Sequence, residues 1–283
     1  MKDTLTPRRF LPFPAPDIPR HWLPGNPVVS AILNTYTVLV PANEAFYIRT
    51  LKHCLPRMRD DALRGAGVAF IHQEAQHGVA HKRYWSSLQA QGYRFEGFER
   101  IANVLTFRLI DRLAPLRLRV SLVSCVEYIN AYIGYEFLSQ QILAQAHPQM
   151  RALMEWHFAE EVEHKHVAFD VLGAVAPGYL MRVLGFFMTV PLFYLLMTLG
   201  TAWFLAQDSL LHRRSTWRQL WFHLGPGHRM FARTLRHQRD YLRRRFHPSQ
   251  LDDRGMASEV IDRYRTAQPP WLVPTPHAEQ QLG

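Results

Sequence analysis

Apolar residues along the chain recur at three- and four-residue intervals rather than alternating, and proline and glycine cut them into blocks of helical length. This pattern predicts helices over residues 28–40, 42–54, 60–90, 98–113, 116–146 and 149–175. Pro41, Pro56, Gly92, Pro115, Pro148 and the Pro177-Gly178 pair are the expected stops. Alternating β-branched runs and Asn-Gly or Asp-Gly hairpin turns are lacking, so the expected fold class is all-α. Residues 183–206 (VLGFFMTVPLFYLLMTLGTAWFLA) carry no charge. At about 1.5 Å per residue such a helix matches the roughly 30 Å hydrocarbon core of a bilayer. Pro191 is expected to divide it into two shorter halves.

The ends differ from this middle. Residues 1–27 hold seven prolines and no apolar signal-like run, which reads as an extended arm. The expected order is therefore an arm (1–27), a helical bundle (28–178), an apolar helical segment (179–207) and a basic helical region with a proline-rich tail (208–283).

The chemistry lies in two helices. Helix 60–90 contains Gln73-Glu74-Ala75-Gln76-His77, and helix 149–175 contains Glu160-Glu161-Val162-Glu163-His164. In each, a Glu-x-x-His spacing puts a carboxylate and an imidazole on one helix face, a pair that suits a transition metal ion. A two-ion carboxylate site needs further acids from two more helices. Glu127 fits, because no basic residue lies within seven positions of it, and an unpaired carboxylate in such an apolar helix is costly. Glu44 follows Pro41 in a similar apolar context. The order Glu44, Glu74/His77, Glu127, Glu161/His164 suits two helical hairpins joined by a longer crossover. Glu160 competes with Glu161, since it also shares a face with His164. Glu161 is preferred because it repeats the Glu74/His77 spacing. His157 stands one turn before Glu161 and joins the expected ligands. His81, one turn after His77, is a weaker candidate. Tyr128, Tyr135 and Asp170 are candidates for supporting hydrogen bonds.

At these residues the sequence resembles the ferritin-like superfamily of di-iron carboxylate proteins. The segments FIHQEAQHGVAHKRYW (70–85) and WHFAEEVEHKHVAFD (156–170) resemble a bacterial family labelled predicted metal-dependent hydrolases. The stripe His157, Glu161, His164 is similar to the di-iron arylamine N-oxygenases, which use a third histidine. The resemblance implies a ferritin-like four-helix bundle with a di-metal centre and extra C-terminal helices. Four carboxylates and two or three imidazoles without thiolate suit two iron ions, with manganese the alternative. The expected function is an O2-dependent di-iron oxygenase or oxidase on a hydrophobic, lipid-like substrate, supplied by an electron-donor reductase. The alternative is a metal-dependent hydrolase using the same site.

Composition narrows the rest. Of 283 residues, 48% are hydrophobic and 20% charged, which excludes bulk disorder. Two cysteines exclude a disulfide framework and a thiolate zinc site. The net charge of +10 is carried by arginine, since only four of the 33 basic residues are lysine. Eleven arginines fall within 212–254, against Asp240, Asp252 and Asp253. No zinc knuckle, helix-turn-helix or aromatic-basic motif accompanies them, so nucleic acid is not an expected partner. Anionic headgroups are, with residues 183–206 lying on the inner face of the cytoplasmic membrane. A single span would place the metal helices outside, away from reductants, and the free cysteines also suit the cytoplasm. The same apolar segment reads alternatively as a helix covering the bundle or as a homodimer interface.

Overall fold

The computed structural model describes residues 18–251 and 253–266; most of the expected arm and the whole of the final tail lie outside them. Among the described residues the chain is all-helical, with no strand. The helices are α1 (Pro27–Cys54), α2 (Asp61–Ala90), α3 (Glu96–Ala102), α4 (Leu109–Leu113), α5 (Leu116–Ser139), α6 (Pro148–His164), α7 (Val167–Val175), α8 (Tyr179–Gln207), α9 (Arg214–Leu224), α10 (Met230–Tyr241) and α11 (Arg254–Thr266). A π-helical stretch, Asn103–Arg108, joins α3 to α4. The two long hairpins are α1 with α2 and α5 with α6; α8 lies across α1 and α5, and α11 covers α6.

Local chemistry accounts for the starts. The Asn26 side chain accepts from the Val29 amide, with Pro27 at the first position of α1. Asp60 caps α2 by accepting from the amides of Ala62 and Leu63. Residues 18–26 of the expected extended arm are neither helix nor strand and are anchored to the bundle. Trp22 is buried, its indole N–H donates to Asn34 Oδ1 at 2.9 Å, and its carbonyl accepts from the His147 amide at 2.7 Å.

Four expected boundaries move. Pro41 does not end a helix but sits inside α1. Proline lacks the N–H that would bond to the carbonyl of Thr37, and the Trp85 indole N–H donates to that carbonyl instead, at 3.2 Å. Pro191 likewise lies within an unbroken α8. Helix α5 ends at Ser139 rather than 146, because Gln141 turns left-handed (φ 50°) and the chain doubles back to bury Leu143 and Ala146. Between α6 and α7 the helix is interrupted at Lys165, whose buried ammonium bonds Asp253 and the Leu251 carbonyl.

Helix α8 is long and apolar enough to cross a membrane, with mean hydropathy 1.9, and only 22% of its most apolar window is buried. It nevertheless runs along the bundle. Gly185 lies against Ser121 and Gly200 against Thr35 and Phe98, so close that a Cβ would collide at either place. The Tyr194 hydroxyl meets Tyr132 at 2.6 Å, and the Trp203 indole N–H donates to the Arg94 carbonyl.

Candidate metal centre

Four helices aim their acids and imidazoles inward. Helix α1 supplies Glu44, α2 supplies Glu74 and His77, α5 supplies Glu127, and α6 supplies His157, Glu161 and His164. None is more than 2% exposed. Helical spacing does the aligning: Glu74/His77 and Glu161/His164 are each three apart, and His157/Glu161 are four apart.

Donor atoms gather into two adjoining groups. Glu44, His77, His157 and Glu161 each place one within 4.8 Å of the others, and so do Glu74, His77, Glu161 and His164. His77 and Glu161 belong to both. His77 Nδ1 lies 3.4 Å from Glu44 Oε1 and 3.9 Å from both Glu74 Oε2 and Glu161 Oε1. His157 Nε2 is 3.1 Å from Glu161 Oε1, and His164 Nε2 is 3.2 Å from Glu74 Oε1. Glu127 stands at the edge of the second group, with its Oε2 3.1 Å from His164 Nδ1.

The neighbours left open by the sequence separate clearly. Glu160 points away from both groups; its carboxylate faces His77 Nε2 at 2.9 Å and accepts from the Trp156 indole at 3.0 Å. In the neutral form that a metal would require, Nε2–H donates to that carboxylate and the lone pair of His77 falls on Nδ1, the atom facing the groups. His81 stands behind His157, with Nε2 3.1 Å from His157 Nδ1 and Nδ1 3.1 Å from Thr37 Oγ1. Tyr128 and Tyr135 do not reach the centre. Both turn toward His237, because their α5 face looks out to α10. Asp170 pairs with His247 at 2.9 Å near the surface.

Two supporting residues were not anticipated. The Tyr36 hydroxyl is 2.8 Å from His157 Nε2. Asn130 donates to the Tyr47 hydroxyl at 3.4 Å, and its nearby amide partly offsets the burial of Glu161. A signal for Tyr36 existed: it lies eight residues before Glu44, two helical turns along the same face.

The electrostatics show what the cluster lacks. Among the described residues, both carboxylate oxygens of Glu44, Glu74 and Glu161, one of Glu127, His77 Nδ1 and His164 Nε2 are buried without a hydrogen-bond partner. Such concentrated orphan acceptors are costly unless cations satisfy them. Burial and mutual repulsion push Glu44, Glu74, Glu127 and Glu161 above the ordinary carboxylate range. Burial opposes charge on His77, but Glu160, Glu44 and Glu74 outweigh it and raise its pKa well above the usual value. Burial, aided by neighbouring imidazoles, lowers His81 and His157, which therefore stay neutral, the form that ligates. These features fit two metal ions.

No curated protein and no solved structure matches the chain. A family model described as predicted metal-dependent hydrolase matches residues 7–252, a stretch that contains every residue of the cluster. The chain thus belongs to the family of predicted metal-dependent hydrolases.

Proposed function

We propose that the protein is a metal-dependent hydrolase with a two-ion centre held by Glu44, Glu74, His77, Glu127, His157, Glu161 and His164. The observation that carries this reading is the set of orphaned oxygens and nitrogens shared by two adjoining groups through His77 and Glu161. Family membership supports hydrolysis as the reaction. The thiol-free donor set favours iron or manganese. When bound there, two such ions would supply Lewis acidity for polarising a substrate oxygen or activating a water near neutral pH. The protein's own groups do the positioning. Glu160, held by Trp156, fixes the face that His77 presents. Tyr36, kept a neutral phenol by burial and by the nearby carboxylates, braces His157.

The reading tied to the arylamine N-oxygenase resemblance, an O2-dependent oxygenase on a ferritin-like centre, draws support from His157, the third imidazole, standing in the first group. Hydrolysis is preferred because the family assignment favours it. Turnover of an ester panel by metal-loaded protein, without oxygen or reductant, separates the two. Hydrolysis that is abolished by chelation and restored by iron or manganese is expected. Oxygen uptake coupled to a reductant, with no anaerobic hydrolysis, would overturn the hydrolytic reading.

A further inference from the structure

Beside the candidate metal centre lies a cavity of about 100 Å³ between α1, the 103–110 segment, α5 and α8, open on one side. Apart from Tyr36, Asn43, Thr106 and Thr189, every side chain lining it is apolar. Interiors are normally packed without such voids, and an apolar void that persists is a site for an apolar ligand.

The cavity abuts the cluster. Tyr36 lines it and hydrogen-bonds His157 at 2.8 Å. Asn43 and Val126, also in its lining, are the chain neighbours of Glu44 and Glu127. Through Tyr36 its α1 side reaches the donor groups. On the opposite side α8 forms the wall with Met188 and Leu192, and Met188 is exposed, so the cavity meets the surface there. Leu184, Phe187 and Leu195 of the same helix are exposed and apolar as well. Flexible leucine and methionine walls adapt to a bending chain better than to a rigid ring system.

We propose that this cavity receives the apolar chain of the substrate, an acyl or alkyl group that enters past α8. The chain's polar reacting group then lies at the Tyr36 end, against the ions. What happens to that reacting group rests on the hydrolytic reading above; binding of the chain does not.

The test is equilibrium binding of the fluorescent fatty acid dansyl-undecanoic acid to metal-loaded full-length protein, with decanoate and acetate as competitors. Wild type is expected to bind saturably, with displacement by decanoate and not by acetate. Leu192→Trp, which fills the mouth, is expected to weaken binding about ten-fold, the equivalent of about two unburied methylenes, while keeping two ions per chain. If Leu192→Trp fails to fold, Met188→Trp at the exposed rim tests the same mouth. Absence of saturable binding, or equal affinity in a folded mouth variant, overturns the proposal. Saturable, mouth-dependent binding without any anaerobic ester hydrolysis upholds the cavity and removes the hydrolytic reading. Hydrolysis indifferent to chain length, with no saturable binding, overturns the cavity and leaves that reading in place.

Discussion

Glu160 and Glu161 are adjacent in sequence but point about 100° apart on α6, and that angle separates a positioning carboxylate from a proposed ligand. Glu160→Gln keeps the shape but removes the charge opposite His77 Nε2. It is expected to weaken metal affinity about 10- to 100-fold while two ions still bind at saturation. Glu161→Gln alters a side chain shared by both groups and is expected to lower the stoichiometry itself, read by metal analysis after desalting. Glu127→Ala is also expected to leave fewer than two ions per chain; retention of both would remove Glu127 from the site. The pH dependence follows from the raised carboxylates. In metal-free protein, the stability these groups contribute is complete below the unfolded glutamate value, near 4.3, and is lost as pH rises through their raised folded values. Metal takes the place of those protons. The difference in Tm between loaded and chelated protein is therefore expected to widen as pH increases from about 5 to 8. A constant difference would show that the ions bind elsewhere.

At the scale of elements, α1 depends on a bond from another helix. Trp85 on α2 serves the Thr37 carbonyl that Pro41 leaves vacant. Trp85→Phe is expected to cost about 1–3 kcal/mol, read by denaturant unfolding. Adding Pro41→Ala supplies the missing amide, so the double variant is expected to recover part of the loss, a non-additivity that marks the coupling. Helices α5 and α6 approach closely at Gly134, where a Cβ would come within 2.9 Å of the Phe158 carbonyl oxygen. Phe158 neighbours His157, so Gly134→Ala is expected to destabilise the fold by about 1–3 kcal/mol and to reduce metal occupancy as well.

For the whole molecule, α8 decides the outer surface. Besides the outward residues of α8, Trp217, Trp221 and Phe222 of α9 and Phe231 and Leu235 of α10 are exposed, on segments that carry the exposed arginines of 213–245. This combination supports the proposed association with an anionic membrane surface. Intact protein is expected to co-sediment with vesicles containing phosphatidylserine, less so at high salt and little with neutral vesicles. Sedimentation independent of lipid charge would remove the arginines from that role.

The helical periodicity, the two Glu-x-x-His spacings and the lone acids Glu44 and Glu127 were legible in the sequence, because a helix face is set by spacing alone and a carboxylate in an apolar run has few other uses. The continuity of α1 through Pro41 was not, since the donor that rescues Thr37 comes from a residue 48 positions away. The preference for Glu161 over Glu160 and for His157 over His81 rested on spacing, but the contact of Glu160 with His77, the place of His81 behind His157 and the bracing by Tyr36 depended on how α1, α2 and α6 rotate about one another. Packing sets those rotations, and no local pattern in the chain encodes them.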